Sequence, residues 1–303
     1  MKSAAIEGGT ALQESAVSRR SGVADFVELI KARLTLLVLL TTAVGYYLGA
    51  PASFIPLALF HAVFGTALAA AGAAALNQWW ERNVDGLMHR TKTRPIPAGR
   101  MAARDALVLG SFLALVGVSY LAITTNLLSA ALSAATIIIY IFGYTPLKRI
   151  STTNTLVGAV PGALPPMIGW AAARGDVGWP AWSLFAILFC WQMPHFFAIG
   201  WMYREDYARA GFQMLSSRDV DGARSARQSV FFAALLIVAS IFPALLRVTG
   251  PVSLGGNLFL GALFLAVAIR FGRRRSAREA RTMFIASIIY LPLALAVLVI
   301  TKL

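Results

Sequence analysis

The chain of 303 residues carries a net charge of +14, yet only 13% of its residues are charged and 58% are hydrophobic, for a mean hydropathy of +0.70. Soluble domains average about 25% charged residues, so this composition excludes a soluble globular protein. It excludes a disulfide scaffold as well, because Cys190 is the single cysteine and stands inside an apolar run.

Residues 1–24 are small and polar and predict a disordered cytoplasmic tail, leaving 25–303 as one domain. Arg19-Arg20 precedes an apolar run, but Asp25, Glu28, Lys31 and Arg33 intervene and the run is long enough to span. A retained first helix is expected there, not a cleaved peptide. Nine runs approach the roughly 20 residues that cross a bilayer as helix: about 29–49, 54–76, 105–123, 127–144, 154–173, 180–202, 228–248, 254–272 and 282–302. The expected fold is therefore all-α, a polytopic membrane protein with nine transmembrane helices; the short alternating segments of a β-barrel are absent from the sequence.

Positive residues set the orientation of such a chain. With the N-terminus in the cytoplasm and the C-terminus outside, all Lys and Arg residues face inward except Arg174, Arg247 and Lys302. The net charge then reflects orientation and attraction to anionic membrane lipid, and no nucleic acid partner is expected. Helix 1 offers little chemistry beyond the Lys31 and Arg33 behind which it begins. Helix 2 carries His61 near its outer end and small residues, Ala69–Ala75, in its inner half, where they permit close helix approach.

Directly after that run the chain changes character, in NQWWERNVDGLMHRTKTRPIPAGR from Asn77 to Arg100. Asn77, Glu81 and Asp85 recur every four residues, and such steps drift by only about 40° on a helix, so the three share one stripe about 12 Å long. Arg90, Lys92, Arg94 and Arg100 follow, and Pro95 and Pro97 prevent the helix from continuing. Positive charge alone is what any cytoplasmic loop shows, but it does not account for acidic residues at this spacing. Carboxylates beside several basic groups suit Mg²⁺ carrying a phosphorylated substrate.

Helix 4 ends in YTPLKR, returning Lys148 and Arg149 to the same face. Helix 5 holds Pro161, Pro165 and Pro166, which predicts a kinked span lining a cavity or packed in protein. Helix 6 ends in WQMPHFFAIGWMYREDYARAGFQML, where an aromatic inner end is again followed by acidic and basic residues, here Glu205, Asp206, Arg204 and Arg209. His195 within that span is a candidate functional residue, with packing as its alternative. Acidic-plus-basic loops after helices 2 and 6, and basic turns after helices 4 and 8, predict two four-helix blocks plus a ninth helix around a central cavity.

The stripe and the loop after it resemble the first aspartate-rich signature of the UbiA-type intramembrane prenyltransferases. The run M-x-RT-x2-RP, together with YTPLKR, GALPPMIGW, WQMPHFF and EDYARAGFQML in that order, is similar to the protoheme IX farnesyltransferase branch of that superfamily. The likeness extends over about half the chain. Two positions depart from the wider superfamily: Glu81 stands where Asp is usual, and YREDY replaces the paired-aspartate second motif, so that Asp206 is the carboxylate carried over.

The resemblance implies transfer of farnesyl from farnesyl diphosphate to a vinyl group of heme B, with addition of water, in the inner membrane. It implies Mg²⁺ held by Glu81, Asp85 and Asp206, with Asn77 as a neutral ligand or orienting group. Arg90, Lys92, Arg94 and Lys148 would bind the diphosphate at the cytoplasmic side. His195 would contact the heme acceptor, and a heme A synthase or terminal oxidase assembly factor would be the associated proteins. A prenyltransferase for another aromatic or tetrapyrrole acceptor, and a transporter, remain the alternatives; transporters usually place charge near the bilayer midplane.

Overall fold

The computed structural model describes residues 22–51 and 54–303; residues 1–21, most of the expected tail, lie outside the described residues. Residues 22–24 already belong to a helix, Gly22–Leu29. Among the described residues nine helices are long and apolar enough to cross a membrane: α1 (Ala32–Gly49), α2 (Pro56–Asp85), α3 (Ala103–Thr124), α4 (Leu127–Leu147), α5 (Asn154–Arg174), α6 (Trp179–Met202), α7 (Ala223–Leu245), α8 (Pro251–Arg274) and α9 (Ala277–Ile300). The nine expected runs each correspond to one of these.

Helix α2 is one continuous 30-residue helix. At 1.5 Å per residue it measures about 45 Å, longer than the roughly 30 Å hydrocarbon core. Its last turns therefore carry Asn77, Glu81 and Asp85 toward the membrane surface while keeping them on a rigid element. We call the end that carries them the charged face.

Three local features position what surrounds that end. Lys31, between Gly22–Leu29 and α1, takes a left-handed backbone with φ 50°. Gln78 Nε2 donates to the carbonyls of Glu28 (2.9 Å) and Leu29 (2.8 Å), tying α2 to the C-terminal end of the short helix. Helix α4 passes into a π-helical turn, Ile139–Tyr144, before its last turn. The sequence reading did not anticipate this turn; Pro146 supplies a physical reason, since it has no N–H to give to the carbonyl four residues back. Helix α5 breaks at Leu164 into Asn154–Ala163 and Pro165–Arg174, the break its prolines predicted.

The second half of α5 lies in backbone contact with α1. A Cβ on Gly169 would collide with the Thr42 carbonyl, and one on Gly45 with the Pro166 carbonyl. Together with α2, α4, α6 and α9 these helices line a cavity of about 260 Å³ bordered by Val38, Ala73, Tyr140, Pro161, Trp191 and Leu291, with Lys31 also in its wall. The main core, including Leu184, Phe264, Phe271, Met283 and Leu298, joins α6 to α9 and extends to Val44 and Leu48 of α1 and Met167 and Trp170 of α5.

The close approach makes a prediction. Gly169→Ala should cost about 2 kcal/mol by overpacking, seen as a lower unfolding temperature of the purified protein in detergent. Gly255→Ala, where no atom lies within 4 Å, should not lower it. Equal unfolding temperatures for both variants would contradict the α1–α5 contact.

Candidate functional site

Each of the three stripe residues is buried, and each holds one cation from a different segment. Lys31 Nζ donates to Asn77 Oδ1 at 2.6 Å, Lys148 Nζ bonds Glu81 Oε1 at 2.7 Å, and Arg94 Nη1 bonds Asp85 Oδ2 at 2.6 Å. The expected cluster of Asn77, Glu81, Asp85, Arg94 and Lys148 is thus brought together. The second Asn77 contact, from Nδ2 to Thr145 Oγ1 at 3.2 Å, ties the stripe to the end of α4.

Lys148 is held from several sides. Its ammonium lies 4.5 Å from the centroid of Tyr144 and 5.6 Å from that of Phe212, and its carbonyl accepts from Gln213 N–H at 2.6 Å. Burial works against its charge, but the Glu81 carboxylate outweighs burial and lifts it above the ordinary lysine range. Lys31 shows the opposite balance. Burial first, then the Arg94 guanidinium, bring its ammonium below the ordinary lysine range.

The loop after α6 joins this region through the backbone. Arg90 N–H donates to Asp206 Oδ2 at 3.2 Å, and Arg209 Nη1 to Asp206 Oδ1 at 2.9 Å. Burial pushes Asp206 up, but the N–H groups of Arg90 and His89, with Arg209, hold it below its usual value. The Arg90 guanidinium lies over the rings of Tyr203 (5.6 Å) and Tyr207 (5.9 Å). Lys92 and Glu205 are exposed, and among the described residues no hydrogen bond or ion pair joins Lys92 to the stripe.

A divalent cation can be tested against these donors. Among the described residues, no three of His, Cys, Asp and Glu stand together as a ready metal cage. One atom fits a cation well: Asp85 Oδ1 is buried without a hydrogen-bond partner. An unpaired buried carboxylate oxygen is costly, and a metal ion would satisfy it. Glu81, one turn away, offers the second hard oxygen donor.

His195 sits apart from the charged cluster, on the α6–α9 wall. Its ring stacks between Trp191 (5.3 Å) and Phe284 (5.0 Å), and Nδ1 lies 2.7 Å from Ser287 Oγ. That hydroxyl gives its hydrogen to the Phe284 carbonyl at 2.6 Å, so at His195 it accepts. Nδ1 therefore carries the proton, and Nε2 keeps a lone pair. Trp191 Nε1 donates to the Ser287 carbonyl at 2.8 Å, and Trp191 lines the apolar cavity.

Sequence reasoning passed over Lys31 and Tyr140. Lys31 reads as an ordinary basic flank of a membrane helix, and only the left-handed turn directs it to Asn77. Tyr140, whose hydroxyl lies 3.4 Å from Lys31 Nζ, stands on the π turn, for which the spacing of apolar residues gives no signal.

The profile of the UbiA prenyltransferase family matches residues 38–289. The protoheme IX farnesyltransferase of Solibacter usitatus is 46% identical, covering 92% of this chain and 98% of the relative. That of Koribacter versatilis is 42% identical, covering 93% and 96%. Among solved structures, one from work on digeranylgeranylglyceryl phosphate synthase superposes with a TM-score of 0.78 over 92% of this chain and 98% of that one, at 15% identity. A UbiA homolog from Archaeoglobus fulgidus, bound to DMAPP and Mg²⁺, gives a TM-score of 0.65 over 90% and 99%, also at 15% identity. Those two likenesses establish a shared fold. The chain belongs to the UbiA prenyltransferase family.

Proposed function

We propose that the chain transfers the farnesyl group of farnesyl diphosphate to a vinyl group of heme B, with addition of water, giving heme O and diphosphate. The observation that carries this reading is a stripe of cation-paired polar residues near an apolar cavity, in a chain 46% identical to a protoheme IX farnesyltransferase. Residues 25–303 act as one domain. The charged face lies in the cytoplasm, with the N-terminus inside and the C-terminus outside a cell membrane.

In the resting protein Lys148 and Arg94 neutralise Glu81 and Asp85, and Lys31 is held by Asn77. The arriving diphosphate takes up these cations, joined by Arg90 and Lys92 from the loop, and frees Glu81 and Asp85. Glu81, Asp85 and Asp206 would hold a magnesium ion, which would supply Lewis-acid stabilisation of the departing diphosphate. Asn77 orients Lys31 and keeps it near the developing negative charge. The farnesyl chain enters the apolar cavity, whose lining excludes water while the C1–oxygen bond breaks, and the Tyr140 and Trp191 rings offer π-faces to the allylic cation. The heme vinyl group attacks that cation; water then adds to the resulting carbocation and loses a proton, leaving the hydroxyethylfarnesyl group.

His195 binds the acceptor. Its protonated Nδ1 is fixed by Ser287, which leaves the Nε2 lone pair for the heme iron, the arrangement that a partner on the other ring nitrogen favours in metal-bound histidine. The flanking aromatic rings suit the face of a porphyrin.

Two outcomes follow. Asp85→Ala and Asp206→Ala should each cut heme O formation about a thousandfold, the effect of losing about 4 kcal/mol of transition-state stabilisation. Arg273→Ala, on a turn remote from the stripe, should leave turnover near normal. Heme O measured by mass spectrometry in membranes with matched protein levels checks this, and near-normal activity of Asp85→Ala at saturating Mg²⁺ would contradict the assignment. His195→Ala should weaken heme B binding and shift its absorption spectrum while farnesyl diphosphate binding is unchanged. A folded variant with wild-type heme affinity and spectrum would show His195 to be a packing residue.

A further inference from the structure

On the face opposite the stripe a second cavity, about 640 Å³, opens where the end of α1, the α5–α6 turn, the α7–α8 turn and the stretch after α9 meet. Arg174, Arg247 and Lys302 all line it. These are the three basic residues that the topology leaves on this face. Three cations from three separate turns, each able to extend into water, converge on one cavity instead.

Three cations outnumber the negative groups there, the Asp176 side chain and the carboxylate of Leu303, which also lines the cavity. Asp176 is the one acidic side chain in the lining. It pairs with Arg174 at 3.7 Å and accepts from Gly178 N–H (3.2 Å) and Trp170 Nε1 (3.4 Å). Residues 52 and 53, beside Pro51 of the lining, are Ala and Ser and carry no charge. Lys302 Nζ is held by the carbonyls of Tyr47 and Ala50, each at 2.7 Å. Burial, then the neighbouring Arg174, lower its ammonium below the ordinary lysine value. Arg247 is kept at φ 55°, a left-handed conformation uncommon outside glycine.

The remaining lining is apolar, with Leu48, Trp170, Leu246 and Val248 beneath the cations. A basic rim over an apolar floor, at the ends of membrane-spanning helices, matches an amphiphilic anion. We infer that this cavity binds a phosphate group, supplied by the headgroup of an anionic phospholipid. The two guanidinium groups and Lys302 take the phosphate oxygens, and the start of an acyl chain lies on the apolar floor. Such a ligand would bridge the ends of α1, α5, α7 and α9 on the face away from the stripe.

Native mass spectrometry of the purified full chain, titrated with phosphatidylglycerol, phosphatidylcholine or inorganic phosphate, tests this. The wild type should retain phosphatidylglycerol at least ~10-fold more tightly than phosphatidylcholine, whose choline opposes the uncompensated positive charge. The preference should vanish in Arg174→Gln/Arg247→Gln and persist in Arg273→Gln, which removes a basic residue from the other face. Arg247→Gln alone should weaken it in part, which reads the site even if the double variant folds poorly. If inorganic phosphate binds as tightly as phosphatidylglycerol, with the same dependence on Arg174 and Arg247, the lipid is overturned as the source. Equal retention of both lipids by the wild type, with no phosphate binding, overturns the site.

Discussion

The charge pairing along one helical stripe is the constraint on which the rest of the structure depends. Asn77, Glu81 and Asp85 are buried at the end of a long rigid helix, and buried carboxylates must be paired or neutralised. Lys31, Lys148 and Arg94 satisfy them from three segments that are far apart in sequence. The left-handed turn at Lys31, the π-helical end of α4 and the proline-rich loop after α2 each bring one of these cations to its partner. Removing any one would leave a polar or charged group unpaired in a dry place, and the three segments would lose a common anchor.

Such pairing also suits the proposed chemistry. A site already neutralised by its own cations can hold carboxylates close together without substrate. When a polyanion arrives, those cations have a better partner, and the carboxylates are released for a metal ion. The apolar cavity adjoining Lys31 gives the hydrocarbon part of the substrate a place beside this exchange. Because the stripe stands on a rigid helix instead of a loop, the two carboxylates keep their spacing while the cations move. Asp206 acts on the same region through the backbone of the Arg90 loop, so the two halves of the bundle share one charged face.

Much of this was legible in the residues, because the features that signal it repeat regularly. The nine apolar runs, the four-residue spacing of the stripe and the prolines of α5 each impose one geometry, and the structure follows them. The features that escaped depend on tertiary contact. Lys31 looks like any basic residue before a membrane helix, and only the bonds from Gln78 to the Glu28 and Leu29 carbonyls explain why it turns inward. The π turn at Ile139–Tyr144 leaves the apolar pattern of α4 intact, so periodicity cannot register it. His195 was visible as an ionisable group in a span, but the proton on Nδ1 follows from Ser287, 92 positions away in the chain. Lys92, which its place beside Arg90 and Arg94 suggested for the same cluster, is exposed, and the burial pattern of that loop cannot be read from residue type alone.

The most direct measurement uses the purified wild-type chain in lipid nanodiscs with farnesyl diphosphate, heme B and Mg²⁺ in water enriched in oxygen-18. Mass spectrometry should find heme O carrying one labelled oxygen, and none when the chain or the diphosphate is omitted. Release of farnesol with heme B unchanged, or a farnesylated heme without the labelled hydroxyl, would contradict the account.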